Sequence, residues 1–163
     1  VAIFKPLETY QVAQNEITGG TVSPSYISPI QGLQRLQRIM DEYVGGIATN
    51  YMTNENMLNR GLELLKWLEE DLEHVGAEDY HQLMRAWELK HRTVTSQCVT
   101  EHTKFRKETR WPGYYYRGDH LKLDDENWHC LTVSRRDPVT KEFKMEKVPV
   151  YHIVDEKKEK KAS

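Results

Sequence analysis

The stretch "ENMLNRGLELLKWLEEDLEHV", from Glu55 to Val75, decides the fold class. Thr53 is its predicted N-cap, Glu55 lies in the first turn and Gly76 ends the helix. This is the strongest helix prediction in the chain, and it favours a mainly helical fold. The apolar residues recur every three or four positions and form a wide amphipathic stripe, made of Met57, Leu58, Leu62, Leu65, Leu68, Leu72 and Val75.

A first helix is predicted upstream of this segment. Ser28 can act as N-cap, Pro29 suits the first helical position, and Gln31 can complete a capping box. Apolar residues follow at spacings of three and four up to about Tyr43. Gly45 then supplies the left-handed backbone conformation that closes a helix, so a short connection should start there.

A third helix is predicted downstream. Asp79 and Gln82 give another capping-box pattern, and apolar side chains at spacings of four and seven extend the helix to about Arg110. Unbroken, this helix would be roughly 45 Å long at about 1.5 Å per residue. The segment "RTVTSQCVT", residues 92–100, is rich in β-branched residues, which lower helix propensity, so a bend is predicted there if anywhere.

A β-hairpin is predicted near the end of the chain. The segments "WHCLTVS" and "KEFKMEKVPV" flank "RRDPVT", in which Asp137-Pro138 favours a turn. The fold prediction is therefore mainly α: a three-helix bundle-like accessory domain with an extended N-terminal lead-in and a C-terminal β-hairpin. The predicted boundaries are a lead-in at 1–27, a helical domain at 28–127, a terminal hairpin at 128–154 and a disordered tail at 155–163.

The composition bounds the function. A chain of 163 residues suits one domain, but its apolar fraction of 38% is below the roughly 45–50% of ordinary domains. The thin core and the opening on Val1 suggest a piece of a larger polypeptide. The net charge of −2 gives no general attraction for nucleic acid. With no long apolar run and no signal-peptide pattern, we expect a soluble, cytoplasmic protein with no transmembrane segment and no nucleic-acid partner.

No motif for catalysis or metal binding stands out. The histidines lack the i and i+4 spacing of helical zinc ligands, and no strained nucleophile turn or Gly-rich phosphate-binding loop occurs. Cys98 and Cys130 lie 32 residues apart without a C-x-x-C pattern and are predicted to be idle thiols. The sequence therefore predicts no catalytic, cofactor-binding or metal-binding residue.

The stretch "FRKETRWPGYYYRGDH", Phe105 to His120, is the strongest candidate for a binding surface. Pro112 and Gly113 would at least terminate the third helix. The interleaved basic and aromatic residues fit three interpretations: a covered helix end, a nucleic-acid surface, or a protein interface. Glu108 and Asp119 dilute the charge and weigh against nucleic acid. Tyr, Trp and Arg dominate interface energetics, so the predicted interface residues are Arg110, Trp111, Tyr114, Tyr115, Tyr116 and Arg117.

The stretch "RKETRWPGYYYRGDHLKLDDENW", Arg106 to Trp128, resembles the C-terminal signature of the succinate dehydrogenase, fumarate reductase and aspartate oxidase flavoprotein family. The Trp-Pro-Gly-Tyr-Tyr-Tyr insert departs from the general pattern. Together with "YMTNENMLNRGLELLKWLEEDLEH" and "HQLMRAWELKHR", it is similar to the adenylylsulfate-reducing branch of that family. The resemblance runs from about Tyr26 to Val150.

The resemblance implies a flavoprotein alpha subunit that carries FAD and converts adenylylsulfate to AMP and sulfite, or runs the reverse. Electrons would come from an iron–sulfur beta subunit. This chain matches only the helical domain that follows the flavin domain. The lead-in would therefore be the segment that connects the flavin domain to the helical domain. No position here matches the family's flavin-binding or catalytic residues, so the chain alone is predicted to be inactive and to serve packing and subunit contact. The alternative is a free-standing helical interaction module without redox function.

Overall fold

Three long helices and a terminal hairpin make up the described part of the chain, as the sequence predicted. The computed structural model describes residues 27–77 and 79–151. The predicted lead-in up to residue 26 and the tail lie outside these ranges, and the domain boundaries stay predictions. The helices are α1 Pro29–Tyr43, α2 Glu55–Asp71, α3 Tyr80–Phe105 and the single turn α4 Asp125–Trp128. The strands are β1 Met52–Thr53, β2 Tyr116–Arg117, β3 Cys130–Arg136 and β4 Phe143–Pro149.

The core lies where the three long helices meet. Leu65 of α2 and Leu89 of α3 are fully buried, because the helical period places them on the faces that the helices share. Gly32 lets α1 approach α3 closely, since a Cβ atom there would lie 2.3 Å from Leu89 Cδ2. The cluster consists of Leu36, Ile39, Leu65, Leu68, Val75, Ala86 and Leu89.

The start of α1 is confirmed and the start of α2 is corrected by one residue. Ser28 forms the predicted capping box with Gln31. The prediction of Thr53 as N-cap of α2 is wrong, because Asn54 accepts the hydrogen bond from the Met57 amide over 3.0 Å. Thr53 is instead fully buried in β1, and its hydroxyl donates to the Tyr43 carbonyl over 2.7 Å. A non-local hydrogen bond thus engages the Thr53 side chain, which leaves the capping position to Asn54.

The third helix ends earlier than predicted and is continuous through residues 92–100, where the sequence favoured a bend. Asp79 caps it as expected, but it stops at Phe105 instead of about Arg110. The β-branched segment is helical throughout, and its threonine hydroxyls donate to carbonyls one turn back. Thr93 Oγ1 donates to the Leu89 carbonyl over 2.8 Å, and similar bonds recur further along the helix.

The hairpin packs on the C-terminal half of α3. Its strands pair antiparallel from Cys130 with Pro149 to Arg136 with Phe143, around the predicted turn. The ring of His102 bridges two hydroxyls of β3, with Nδ1 3.0 Å from Thr132 Oγ1 and Nε2 3.0 Å from Ser134 Oγ. A histidine of α3 thus helps to fix the position of the hairpin by hydrogen bonds.

We expect Leu65→Ala to lower the free energy of unfolding by about 3 kcal/mol, because it removes a fully buried side chain from the centre of the core. Urea denaturation followed by circular dichroism measures the loss. Leu131 on the hairpin is 58% exposed, so Leu131→Ala is the matched control and should cost less than about 0.5 kcal/mol. Equal effects of the two substitutions would contradict the position of the core.

Candidate functional site

The turn between α3 and the hairpin contains the six predicted interface residues, and the structure divides them into two groups. Trp111 and Tyr114 are exposed, at 69% and 79%. Arg110, Tyr115, Tyr116 and Arg117 make contacts within the fold. The Pro112-Gly113 turn is separate from the helix, so it does not terminate α3 as predicted.

Tyr115 attaches the turn to the end of α1. Its hydroxyl donates to the Val44 carbonyl over 2.7 Å. Gly45 has a φ of +90°, and a Cβ atom there would lie 2.4 Å from Tyr115 Cε2. Gly45 is therefore needed both for its backbone conformation and for the space that the ring occupies. Burial raises the pKa of Tyr115 to about 12, so the hydroxyl stays protonated and remains a donor at neutral pH.

Arg117 caps the C-terminal end of α3 from inside the protein. Its side chain is 2% exposed. Nη1 donates to the carbonyl of Thr103, to that of Lys104 over 3.3 Å and to that of Arg106 over 3.0 Å. These carbonyls belong to the last turn of a helix or follow it, where a cation is favoured by the helix dipole. Because α3 ends at Phe105, these carbonyls have no amide donor from a following helical turn. The guanidinium of Arg117 donates to them instead.

Asp119 completes this arrangement by linking Arg117 to the start of α2. It accepts from Arg117 Nε and Nη2, each over 3.0 Å, and from the Glu55 amide over 2.9 Å. Burial alone would raise the pKa of Asp119, but the bonds from Arg117 and the Glu55 amide outweigh burial and lower it. One bidentate ion pair therefore joins the C-terminus of α3 to the N-terminus of α2.

A short parallel strand pair holds Arg117 and Asp119 in register. Strand β1 pairs with β2, with Met52 opposite Tyr116 and Thr53 opposite Arg117. The Gly118 amide donates to the Thr53 carbonyl over 2.7 Å. The end of the turn is thereby attached to the residue that precedes the N-cap of α2, which brings Asp119 to the helix start.

A second charged cluster surrounds Glu108, whose side chain is fully buried. It accepts from Arg106 Nη1 over 2.5 Å, from Arg110 Nε over 2.7 Å and from the Asp124 amide over 2.9 Å. Burial alone would raise the pKa of Glu108, but the Asp124 amide and the two arginines reverse this effect and lower it. Glu108 is a fixed anion that the fold neutralises.

The two arginines of this cluster also bind the start of the hairpin. Arg106 donates to the carbonyls of Trp128 and Cys130, both over 2.9 Å. Arg110 donates to the Trp128 carbonyl over 3.1 Å and to Asp125 over 2.6 Å. The indole of Trp128 is buried and contacts two cations, the guanidinium of Arg106 at 5.7 Å and the ammonium of Lys147 at 3.4 Å from the ring centroid. The cluster therefore orients the hairpin relative to α3.

Sequence reasoning missed the roles of Glu108 and Asp119, which it treated as diluting charges. The signal that could have revealed them is the alternation of positive and negative charge at every second residue. Arg106, Glu108 and Arg110 share one face only if the backbone is extended, and the same holds for Arg117 and Asp119. Extending α3 to Arg110 concealed this pattern, because residues two apart lie on different sides of a helix.

One group of side chains within the described residues has the geometry of possible metal ligands. Glu55, Asp119 and His120 each place a ligand atom within 4.8 Å of the others. Arg117 already lies 3.0 Å from Asp119 and 3.9 Å from Glu55, so a guanidinium supplies the positive charge at this point. The group is better explained as part of the helix-joining ion pair.

A cavity of about 410 Å³ lies between the turn and the hairpin. Its lining includes the buried Arg117, the partly exposed Arg106 and Arg110, and the indoles of Trp111 and Trp128. Arg106, Arg110 and Arg117 already donate to carboxylates and carbonyls. The donors of these three arginines are therefore engaged by groups of the fold itself.

Comparison with known proteins identifies the family to which the chain belongs. The model of the fumarate reductase flavoprotein C-terminal family matches residues 33–161. The chain therefore belongs to this flavoprotein family, as the resemblance predicted.

Within the family, the similarity is to the C-terminal domain of adenylylsulfate reductase alpha subunits. The chain is 42% identical over 152 residues to adenylylsulfate reductase subunit alpha of Megalodesulfovibrio gigas, covering 93% of this chain and 23% of the relative. The solved structure of adenylylsulfate reductase from Archaeoglobus fulgidus is 53% identical and has a TM-score of 0.80, covering 91% of this chain and 23% of that chain. A solved adenosine-5-phosphosulfate reductase with a covalent sulfite adduct has the same identity, coverage and TM-score. The chain thus spans about a quarter of the length of these relatives.

Proposed function

We propose that this chain acts as the C-terminal helical part of the flavoprotein subunit of an adenylylsulfate reductase. The full subunit would transfer two electrons to adenylylsulfate and release AMP and sulfite, or catalyse the reverse. The observation that carries the proposal is the 53% identity over 91% of the chain to a solved adenylylsulfate reductase. The sulfite adduct described for a similar protein is consistent with this chemistry.

In this proposal the cofactors bind outside the chain. FAD would bind the preceding flavin domain of the same subunit, and iron–sulfur clusters would belong to a beta subunit that supplies electrons. The family name of the match supports a flavin, and the 23% coverage leaves room for its domain in the relatives. The residues described here are engaged in helix capping and hairpin attachment, so their proposed role is packing and contact rather than catalysis.

We place the contact with the remainder of the subunit at the exposed side of the turn. Trp111 and Tyr114 project there, and Ile47 and Tyr51 are exposed next to the same turn, at 74% and 49%. Tyr51 lies beside it because its carbonyl accepts from the Tyr116 amide over 2.9 Å. Tyr115 and Arg117 already attach the backbone of this turn to the fold, so the turn itself should lose little conformational freedom on association.

We also propose a cytoplasmic location, where the reaction would meet its nucleotide substrate. No helix within residues 27–77 and 79–151 is both long enough and apolar enough to cross a membrane.

Replacing Trp111 and Tyr114 together by Ala tests the contact. We expect the full-length subunit to lose about 1–2 kcal/mol or more of docking free energy, because two aromatic anchors are removed. The isolated chain should change by less than about 0.5 kcal/mol, since both side chains are exposed in it. Thermal and urea unfolding of both proteins provide the comparison. Tyr80, 81% exposed at the far end of α3, is the control, and a Tyr80→Ala effect of equal size would refute the assignment.

The isolated chain is expected to retain no FAD and to show no activity. Absorbance in the flavin region after mixing with FAD and desalting tests the first point. AMP- and sulfite-dependent reduction of a dye by the full-length subunit with its beta subunit tests the activity, with the isolated chain as negative control. Stoichiometric flavin on the isolated chain would contradict the location of the cofactor. A full-length gene product without flavin or activity would favour the free-standing interaction module.

A further inference from the structure

Strand β3 has polar side chains toward α3 and aliphatic side chains on its outer side. The hydroxyls of Thr132 and Ser134 contact the ring of His102, each over 3.0 Å. Leu131 and Val133 alternate with them on the opposite face, where they are 58% and 38% exposed. An antiparallel sheet with one covered face normally places its apolar residues on that face and its polar residues in water. The pattern of β3 is reversed, so the outer side has the residues that suit burial.

Strand β4 completes the outer face of the hairpin. Val148 lies opposite Leu131, and Glu146 lies opposite Val133. Directly paired residues of antiparallel strands share a face, so Val148 adds a third aliphatic side chain next to Leu131. Grouped aliphatic side chains on a surface, unlike scattered ones, indicate a site of interaction. The outer face is defined by Leu131, Val133, Arg135, Lys144, Glu146 and Val148.

The turn end of the outer face carries two cations directly opposite each other. Arg135 pairs in register with Lys144, and like charges in this position are destabilising. Lys144 Nζ lies 3.3 Å from a carboxylate oxygen of Glu146. Arg135 forms no ion pair with any residue in 27–77 or 79–151. Two cations and one carboxylate give the face a net charge of +1, and Arg135 lacks a counter-ion.

This charge disfavours a second copy of the same chain as the cover of the outer face. Two outer faces packed against each other would bring together two surfaces of the same positive sign. Like charges juxtaposed at an interface are costly. A surface that carries carboxylates beside aliphatic side chains is complementary to both halves of the face.

We propose that the outer face of the hairpin docks against a carboxylate-bearing surface of the remainder of the same subunit. The chain spans only 23% of its adenylylsulfate reductase relatives, so most of such a subunit lies outside it. The inference rests on the proposed function, because that proposal supplies the remainder of the subunit. It adds a second contact to the one placed at Trp111 and Tyr114.

A carboxylate of the docking surface would convert the repulsive cation pair into a bridged one. The Arg135 guanidinium can donate two parallel hydrogen bonds to such a group. Lys144 can attract it while it remains near Glu146. Aliphatic side chains on the docking surface would cover Leu131 and Val133, which the hairpin itself cannot bury against α3.

The crystal structure of the full-length subunit tests this contact directly. We expect Leu131 and Val133 to be buried there, with a carboxylate oxygen from outside this chain within about 4 Å of the Arg135 guanidinium. An outer face open to solvent would overturn the proposal, as would one covered by a second copy or by a different subunit. Flavin content and activity of the same preparation test the proposed function separately. An active, flavin-containing subunit with an open outer face would therefore refute this contact alone.

Arg135→Glu provides a solution test with different expected results in the two proteins. In the isolated chain it places a glutamate opposite Lys144, and such a cross-strand pair is favourable. Amide hydrogen exchange of β3 and β4 should there be unchanged or about twofold slower. In the full-length subunit the new charge would meet the carboxylate of the docking surface, so the same amides should exchange about tenfold faster. Exchange that is not accelerated in the full-length subunit would refute the contact.

A second variant and a control separate the apolar contact from a general effect of charge. Leu131→Ala should leave exchange in the isolated chain nearly unchanged and accelerate it about fivefold in the full-length subunit, where a buried contact is lost. Arg38→Glu is the control, because its side chain is 80% exposed on α1, away from the outer face. It should not change the exchange of the hairpin amides in either protein. Equal effects of Arg38→Glu and Arg135→Glu would mean that net charge is responsible, and would overturn the proposal.

Discussion

Replacing Arg117 with Met is expected to cost about 3–5 kcal/mol of the free energy of unfolding, because it breaks a buried ion pair and leaves one partner behind. Three carbonyls at the end of α3 lose a donor, and Asp119 is left beside the N-terminus of α2 without its counter-ion. A typical domain is stable by only about 5–15 kcal/mol, so the variant would lie near the limit of folding. Urea denaturation measures the change.

Two further variants separate charge from geometry. Arg117→Lys keeps the charge but loses the fork that binds Asp119 through two nitrogens, so we expect an intermediate loss. Arg38 forms an ion pair with Glu42 over 3.4 Å while its side chain is 80% exposed, so Arg38→Met should change the stability by less than about 0.5 kcal/mol. If Arg117→Met lowered the free energy of unfolding no more than Arg38→Met does, the claim that the Arg117–Asp119 ion pair stabilises the junction of α2 and α3 would be refuted.

Replacing Glu108 with Gln is expected to cost about 3 kcal/mol at neutral pH, since Arg106 and Arg110 lose a buried anion that both share. The volume of the side chain is kept, so the loss reports on charge rather than on a cavity. Glu88→Gln, at an exposed glutamate 3.7 Å from Arg92, is the matched control and should be nearly silent. A silent Glu108→Gln would show that the cluster does not stabilise the hairpin attachment.

The pH dependence gives an independent check of the same residue. The folded pKa of Glu108 lies below its ordinary value of 4.5. Its stabilisation is therefore fully present above that value and is lost as the pH falls through the folded pKa. The difference in stability between the wild type and Glu108→Gln should accordingly shrink as the solution is acidified below about pH 4.5. A difference that is constant with pH would mean that the carboxylate does not titrate with folding.

The sequence predicted those parts of the fold that depend on local chemistry. The start of α1 follows from the Ser28 capping box, and the hairpin follows from its alternating strands and the Asp137-Pro138 turn. The end of α3 was missed because it is set by Arg117, whose side chain reaches back to carbonyls more than ten residues earlier. Spacing rules within a helix contain no information about such a partner.

The candidate surface was predicted in part for the same reason. Aromatic and arginine content marked the correct turn, but composition cannot separate Trp111, which is exposed, from Arg117, which is fully enclosed. That distinction requires the β1–β2 pairing, which joins segments distant in the chain. Whether the exposed residues bind a partner stays a prediction.

The ion pair between Arg117 and Asp119 has a consequence for the order of folding. The bond from the Glu55 amide to Asp119 joins residues 64 positions apart, so it closes a long loop that contains both α2 and α3. Loop closure is entropically unfavourable until the enclosed elements have already packed. We therefore expect the helices to associate first and the turn to lock afterwards, beyond the transition state. Substitutions at Arg117 would then mainly accelerate unfolding and leave the folding rate almost unchanged, so the turn determines how long the folded domain persists.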